Sequence, residues 1–179
     1  MKKSLRTYNF LRYNFPIYLI NLCTSLLPNC VESNIIRGWL MRPFFKRCGK
    51  NFQIASGVTI NVSRNMEIGN DVYIAHNSWI NASGGLKIGD GVVISPMVVV
   101  ATTKHIYING KISPKSQTAP IVIGDFSWIA SNSVITSGTT IGKGCIVGAC
   151  SSVTQTVDNY WFVGGVPAKP IKKLHNNDV

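Results

Sequence analysis

A parallel β-helix of six-residue repeats is the all-β fold that this 179-residue sequence predicts, and three observations predict it. The first is a register of aliphatic residues: Ile54, Ile60, Ile68, Ile74, Ile80, Ile88, Ile94, Val100, then Ile123, Ile129, Ile135, Ile141, Val147 and Val153. Neither a helix, with period 3.6, nor a half-buried strand, with period 2, repeats at six. The second is the residue that follows, often glycine, as at Gly69, Gly89, Gly142 and Gly148. The third is a small or β-branched fifth position (Val58, Val72, Val92, Ser133, Thr139, Cys145, Ser151), slim enough for the inside of a tight corner. One such repeat cannot bury its aliphatic residue alone, so successive coils must stack. Fourteen hexads at three per turn give between four and five coils over residues 51–158.

Before the repeats, residues 1–50 are basic and partly apolar. They carry nine Lys or Arg against Glu32 alone, so +8 of the net charge of +11 lies there. Such a segment suits an anionic membrane surface or phosphate-bearing ligands, or is simply a solvated basic face. No nucleic-acid-binding motif appears and the later coils carry few charges, which argues against nucleic acid. The run from Phe15 to Leu27 is apolar but shorter than the ~20 residues a membrane-spanning helix needs, and Pro16 and Asn21 interrupt it. Leu27-Pro28-Asn29 is a poor signal-peptidase site. The expectation is a helical appendage that covers the first coil or lies on a membrane surface. The five cysteines form no CxxC pair, which fits a reducing compartment.

The register skips 23 residues between Val100 and Ile123. Residues 106–120 (IYINGKISPKSQTAP) are rich in Gly, Pro, Ser, Asn and Lys and read as an extruded loop. His105 stands at its base. Position alone leaves it either a solvated bystander or a proton acceptor delivered by a rigid coil. His76 lies inside a hexad and His175 in the tail, so the three histidines do not form the zinc site a β-helical carbonic anhydrase would need, and no metal is expected. Asp71, Asp90 and Asp125 occupy turn positions and read as turn formers.

The segments IGDGVVISPMVVVATTKH (88–105), IVIGDFSWIASNSVITSGTTIGKGCIVGACSSVTQTV (121–157) and VGGVPAKPIKK (163–173) resemble the hexapeptide-repeat O-acetyltransferases, among them the galactoside, maltose, nodulation-factor and polysaccharide enzymes. The resemblance covers roughly residues 50–173. It implies a left-handed β-helix, a homotrimer with active sites between subunits, and acetyl-CoA as co-substrate. It makes His105, 17 residues after Ile88, the general base that accepts the proton of an attacking hydroxyl. A backbone N–H near Ser131 would hold the oxyanion. Trp128, Ser131, Ala149 and Thr154 match coenzyme-contacting positions, and Lys169 and Lys172, in the tail 159–179, match basic positions that meet its phosphates. Where the galactoside and maltose enzymes place an acceptor-binding Asn, this chain has Ala75, and a family acidic position falls at Ser83. Asn77, His76 and Asn81 are the local polar candidates for the acceptor. Together with the basic N-terminal segment, this fits a bacterial surface polysaccharide or its lipid-linked precursor better than a free disaccharide. Acetyl-CoA is cytoplasmic, so the enzyme is expected there, with residues 1–50 a peripheral contact to the inner membrane face. The rival readings are N-acetylation of an amino sugar or other small molecule on the same scaffold, and a non-catalytic β-helix scaffold.

Overall fold

The computed structural model describes residues 2–175. Met1, the side chains of the basic Lys2 and Lys3, and the last four residues of the tail, 176–179, lie outside the described residues. Short parallel strands stack on three faces of a prism, the β-helix that the repeats call for, with the left hand that the resemblance implies. The first face holds Arg47–Cys48, Met66–Ile68, Leu86–Ile88, Ile121–Ile123 and Thr140–Ile141. The second holds Gln53–Ile54, Tyr73–Ile74, Val93–Ile94, Trp128–Ile129, Ile146–Val147 and Trp161–Gly164, and the antiparallel strand Lys169–Lys173 closes its edge. The third holds Thr59–Asn61, Trp79–Asn81, Val99–Ala101, Val134–Ile135 and Ser152–Val153.

The aliphatic register is the register of the ladders. Ile54, Ile74, Ile94, Ile129 and Val147 pair in one column, Ile68, Ile88, Ile123 and Ile141 in a second, and Ile60, Ile80, Val100, Ile135 and Val153 in a third. All but Ile60, in the first coil, are no more than 2% exposed. Like stacks on like at about 4.8 Å, the spacing of hydrogen-bonded strands, and fills the prism with one continuous core. The slim corner residues have a second task. Ser127 donates to the Gly142 carbonyl (2.8 Å) and accepts from the Cys145 N–H (3.1 Å), and Ser133 donates to the Gly148 carbonyl (2.9 Å). Buried turn backbone thus finds partners in the next coil. Asp90 and Asp125 accept the N–H groups of Asn70 (2.7 Å) and Asp90 (3.0 Å) from the coil before, as turn formers do.

Two expectations need correction. The second face has six parallel rungs, where the register predicts between four and five coils. Arg47–Cys48 begins the stack, six residues ahead of Ile54 but without an aliphatic residue in the register position, and Val163 pairs with Val147 although only sixteen residues separate them, so the last rung keeps the hydrogen bonds without the six-residue period. The extruded segment is an antiparallel hairpin, Thr103–Ile108 with Lys111–Thr118, and not an irregular loop. Asn109 and Gly110 at its tip both have positive φ (49° and 76°), the conformation of a tight type I′ turn.

Three helices precede the prism: α1 (Lys2–Asn9), α2 (Phe15–Thr24), which follows α1 through a π-helical turn at Phe10–Asn14, and α3 (Val31–Met41). They cap its open first coil. Along the second face each rung's carbonyl accepts from the coil before it, as Ile74 O does from Ala55 N (2.9 Å). Ile54 O has no earlier coil, and the Arg37 Nη1 of α3 donates to it instead (2.9 Å). On the third face the Asn21 Nδ2 of α2 does the same for Val58 O, at 3.4 Å. Gly38 lets α3 come this close, because a Cβ there would collide with the Phe52 carbonyl.

Candidate active site

His105 follows a corner of the prism tied by several side-chain hydrogen bonds. Fully buried Thr102 donates from Oγ1 to Asn81 O (2.7 Å) and accepts there the Gly84 N–H (2.9 Å). Its carbonyl receives the Ala119 N–H (3.1 Å) and the Ser137 hydroxyl (3.0 Å), which ties both roots of the hairpin to the coil that follows. Three residues on, His105 pairs with Ser116 across the hairpin, just before a bulge, and its side chain is exposed. Among the described residues of the chain, none hydrogen-bonds its imidazole. The hairpin also carries Lys104, Lys111 and Lys115 and no acidic residue.

The other candidates occupy different parts of the prism. Thr154, exposed, is at the corner between the third and first faces, the corner from which the hairpin leaves. Ser131 and Ala149 stack at the corner between the second and third faces, where Cys150 N–H donates to Ser131 O (3.0 Å). Asn132 and Cys150 make the tight turns there, with φ of 61° and 57°. The corner is lined with small side chains. Trp128 stands outward on the second face, 45% exposed, and its Nε1 donates to Ser95 Oγ (2.8 Å). Ser95 is a contact that sequence reasoning missed: its hexad position places it beside Ala130, but the period says nothing of an indole reaching it. Lys169 and Lys172 are exposed on the edge strand of that face, opposite Gly164 and Phe162.

On the acceptor side, His76 and Asn77 belong to the same second-to-third corner, nearer the helical cap. His76 is half-buried and its Nε2 is enclosed without a hydrogen-bond partner among the described residues. Asn77 makes the tight turn (φ 59°). Asn81 lies at the end of a third-face strand, where its Oδ1 accepts the Ser83 N–H (2.9 Å). Among the described residues no group of three or more His, Cys, Asp or Glu could hold a metal ion.

A single chain therefore brings His105 and Thr154 to one edge of the prism and Ser131, Ala149, His76 and Asn77 to another, with the whole third face between. The two edges run parallel to the coil axis.

The family described as bacterial transferase hexapeptide (six repeats) matches residues 120–155. The chain is also 31% identical over 140 residues, 78% of its own length and 69% of the relative's, to the galactoside O-acetyltransferase of Escherichia coli K12. It belongs to the hexapeptide-repeat acetyltransferases. A second E. coli K12 relative, assigned by name to colanic acid biosynthesis as an acetyltransferase (WcaF), is 30% identical over 137 residues, 76% of this chain and 74% of that one. Among solved structures, a hexapeptide-repeat acetyltransferase of Vibrio cholerae O1 biovar eltor, complexed with acetyl-coenzyme A, superposes with a TM-score of 0.78 at 28% identity, over 90% of this chain and 86% of that one. Membership makes this chain an enzyme, and it removes the scaffold reading.

Proposed function

We propose that this acetyltransferase moves the acetyl group of acetyl-CoA to a saccharide hydroxyl of a surface polysaccharide or its precursor, at a site completed by a neighbouring copy in a homotrimer. One observation carries the reading. His105 is exposed and has no hydrogen-bond partner among the described residues, while the small-residue corner suited to the pantetheine arm lies on another edge of the prism. Two copies set side by side, edge against edge, bring the imidazole of one to the thioester held by the other. The neighbour would also supply the acceptor that fixes the ring's tautomer.

The residues present fit the coenzyme. Lys169 and Lys172 offer point charges to its phosphates, and the corner at Ser131 and Ala149 lets a thin chain lie against backbone. Neutral His105 accepts the proton of the sugar hydroxyl as its oxygen attacks the thioester carbon. A backbone N–H beside Ser131 stabilises the oxyanion. When the tetrahedral intermediate collapses, the C–S bond breaks and the imidazolium returns its proton to the leaving thiolate. Juxtaposing the two substrates supplies much of the remaining acceleration. The galactoside and colanic acid relatives support a saccharide acceptor.

The test is acetyl transfer to matched hydroxyl and amine saccharides by the parent and by His105→Ala. The variant is expected to lose about 10²–10⁴ in kcat and to retain coenzyme binding, read as a thermal shift. An unchanged rate removes His105 from the mechanism, and transfer only to amines removes the hydroxyl acceptor.

A further inference from the structure

We propose that the N-terminal helices seat this enzyme on an anionic lipid bilayer. This goes beyond the transfer reaction and does not depend on it. The run from Lys2 to Thr24 is helical throughout, with the π-helical turn inside it, and spans about 35 Å at 1.5 Å per residue. It has two apolar stripes. The inner one, Tyr13, Ile17, Ile20 and Thr24 at intervals of four and three, turns toward the prism, with Ile17 and Thr24 buried. The outer one is Leu5, Tyr8, Leu11, Tyr18 and Leu22, again at helical intervals, continued by Leu26 just past the helix end; each is more than half exposed. A helix that only caps a solenoid needs the inner stripe and polar residues outside.

The charges choose the occupant. No acidic residue precedes Glu32, whereas Arg6 and Arg12 lie on the run itself. Arg64 of the first coil joins Arg6 around the hollow beside Leu5 and Phe10. Arg12 stacks over the Tyr13 and Phe44 rings (5.1 and 5.5 Å), which fixes its exposed charge at the border between helix and prism. A second copy of this face would bring like charges together, while a bilayer with anionic headgroups satisfies the cations and the apolar stripe at once. Among the described residues no helix is long and apolar enough to cross a membrane, so the segment lies in the interface plane.

The experiment is sedimentation of the full-length chain with vesicles of phosphatidylcholine alone or mixed with phosphatidylglycerol. The parent is expected to partition onto the anionic vesicles at least about tenfold more strongly than onto neutral ones, and less so at high salt. Arg6→Gln with Arg12→Gln should weaken this by about tenfold or more at low salt, each basic side chain near the surface being worth about fivefold. Leu11→Gln with Leu22→Gln should weaken binding to a similar degree while circular dichroism, acetyl-transfer rate and mass by light scattering stay those of the parent. Absence of binding, equal binding to neutral vesicles, or undiminished binding by either variant overturns the proposal. A changed oligomeric mass in the leucine variant overturns it too, by assigning the stripe to contacts between chains.

Discussion

Arg37→Met tests how the solenoid's open end is closed. Arg37 is 1% exposed and, among the described residues, makes no ion pair. Its guanidinium donates from Nε to Thr24 Oγ1 (2.9 Å), from Nη1 to Ile54 O (2.9 Å) and Asn34 Oδ1 (3.3 Å), and from Nη2 to Thr24 O (3.1 Å). Burial without a carboxylate pulls its pKa down, a sign that its desolvation is only partly offset. Methionine keeps the length and the packing but removes the donors. Asn34 can reorient, Thr24 Oγ1 keeps its bond to Ile20 O (2.6 Å) and Thr24 O keeps the Leu27 N–H (3.2 Å), so the carbonyl of Ile54 loses most. One buried carbonyl left unpaired costs about 1–3 kcal/mol, and the lost bond to Thr24 O about 0.5–1.5 kcal/mol more. Relief of the charge's desolvation returns part of that, leaving a net loss of about 2–3 kcal/mol. For a chain of this size the unfolding midpoint should fall by about 4–12 °C. The assay is thermal unfolding followed by circular dichroism at one fixed protein concentration, since assembly feeds into the midpoint. Arg37→Lys, which keeps the charge but not the fork, should fall between the two. A methionine variant that melts within about a degree of the parent would refute the capping argument, because the lost donors predict several times that shift.

Three further outcomes are expected. Ile129→Ala, in the middle of the second-face column and fully buried, should cost about 2–5 kcal/mol, measured by urea unfolding. Lys169→Ala and Lys172→Ala should each raise the apparent KM for acetyl-CoA about fivefold or more with kcat nearly unchanged, since a phosphate contact is made alike in ground and transition states. Alkylation mapped by mass spectrometry should find Cys150 reactive and Cys48 and Cys145 spared, because burial pushes the Cys48 thiol up to about 11 and raises Cys145; acetyl-CoA should slow the labelling of Cys150 if the coenzyme lies along the corner at Ala149.

What the sequence discloses follows from what each residue must satisfy. Ile94 and Ile129 pair in one column, so one local rule, an aliphatic residue every sixth position, is enough to find them and to place them face to face. At the ends that rule relaxes. Val163 pairs with Val147 on one side and with the antiparallel Pro170 on the other, its spacing from Val147 falls to sixteen residues, and the last rung goes uncounted. The hairpin was legible but unread: Asn109-Gly110 between alternating residues is a strong turn signal, obscured by the Pro and Ser around it. Arg37 had no signal, because nothing in a basic helix says that one of its arginines replaces an absent coil. The catalytic candidates are a harder case. Outward positions on a solenoid feel no packing rule, so His105, Trp128 and Lys169 stand out only by likeness to other proteins, and that likeness says which residues matter without saying which of them one chain can bring together. The answer lies in the cross-section. Three corners of a triangular prism cannot face one another, so residues split between two of them do not meet within one chain.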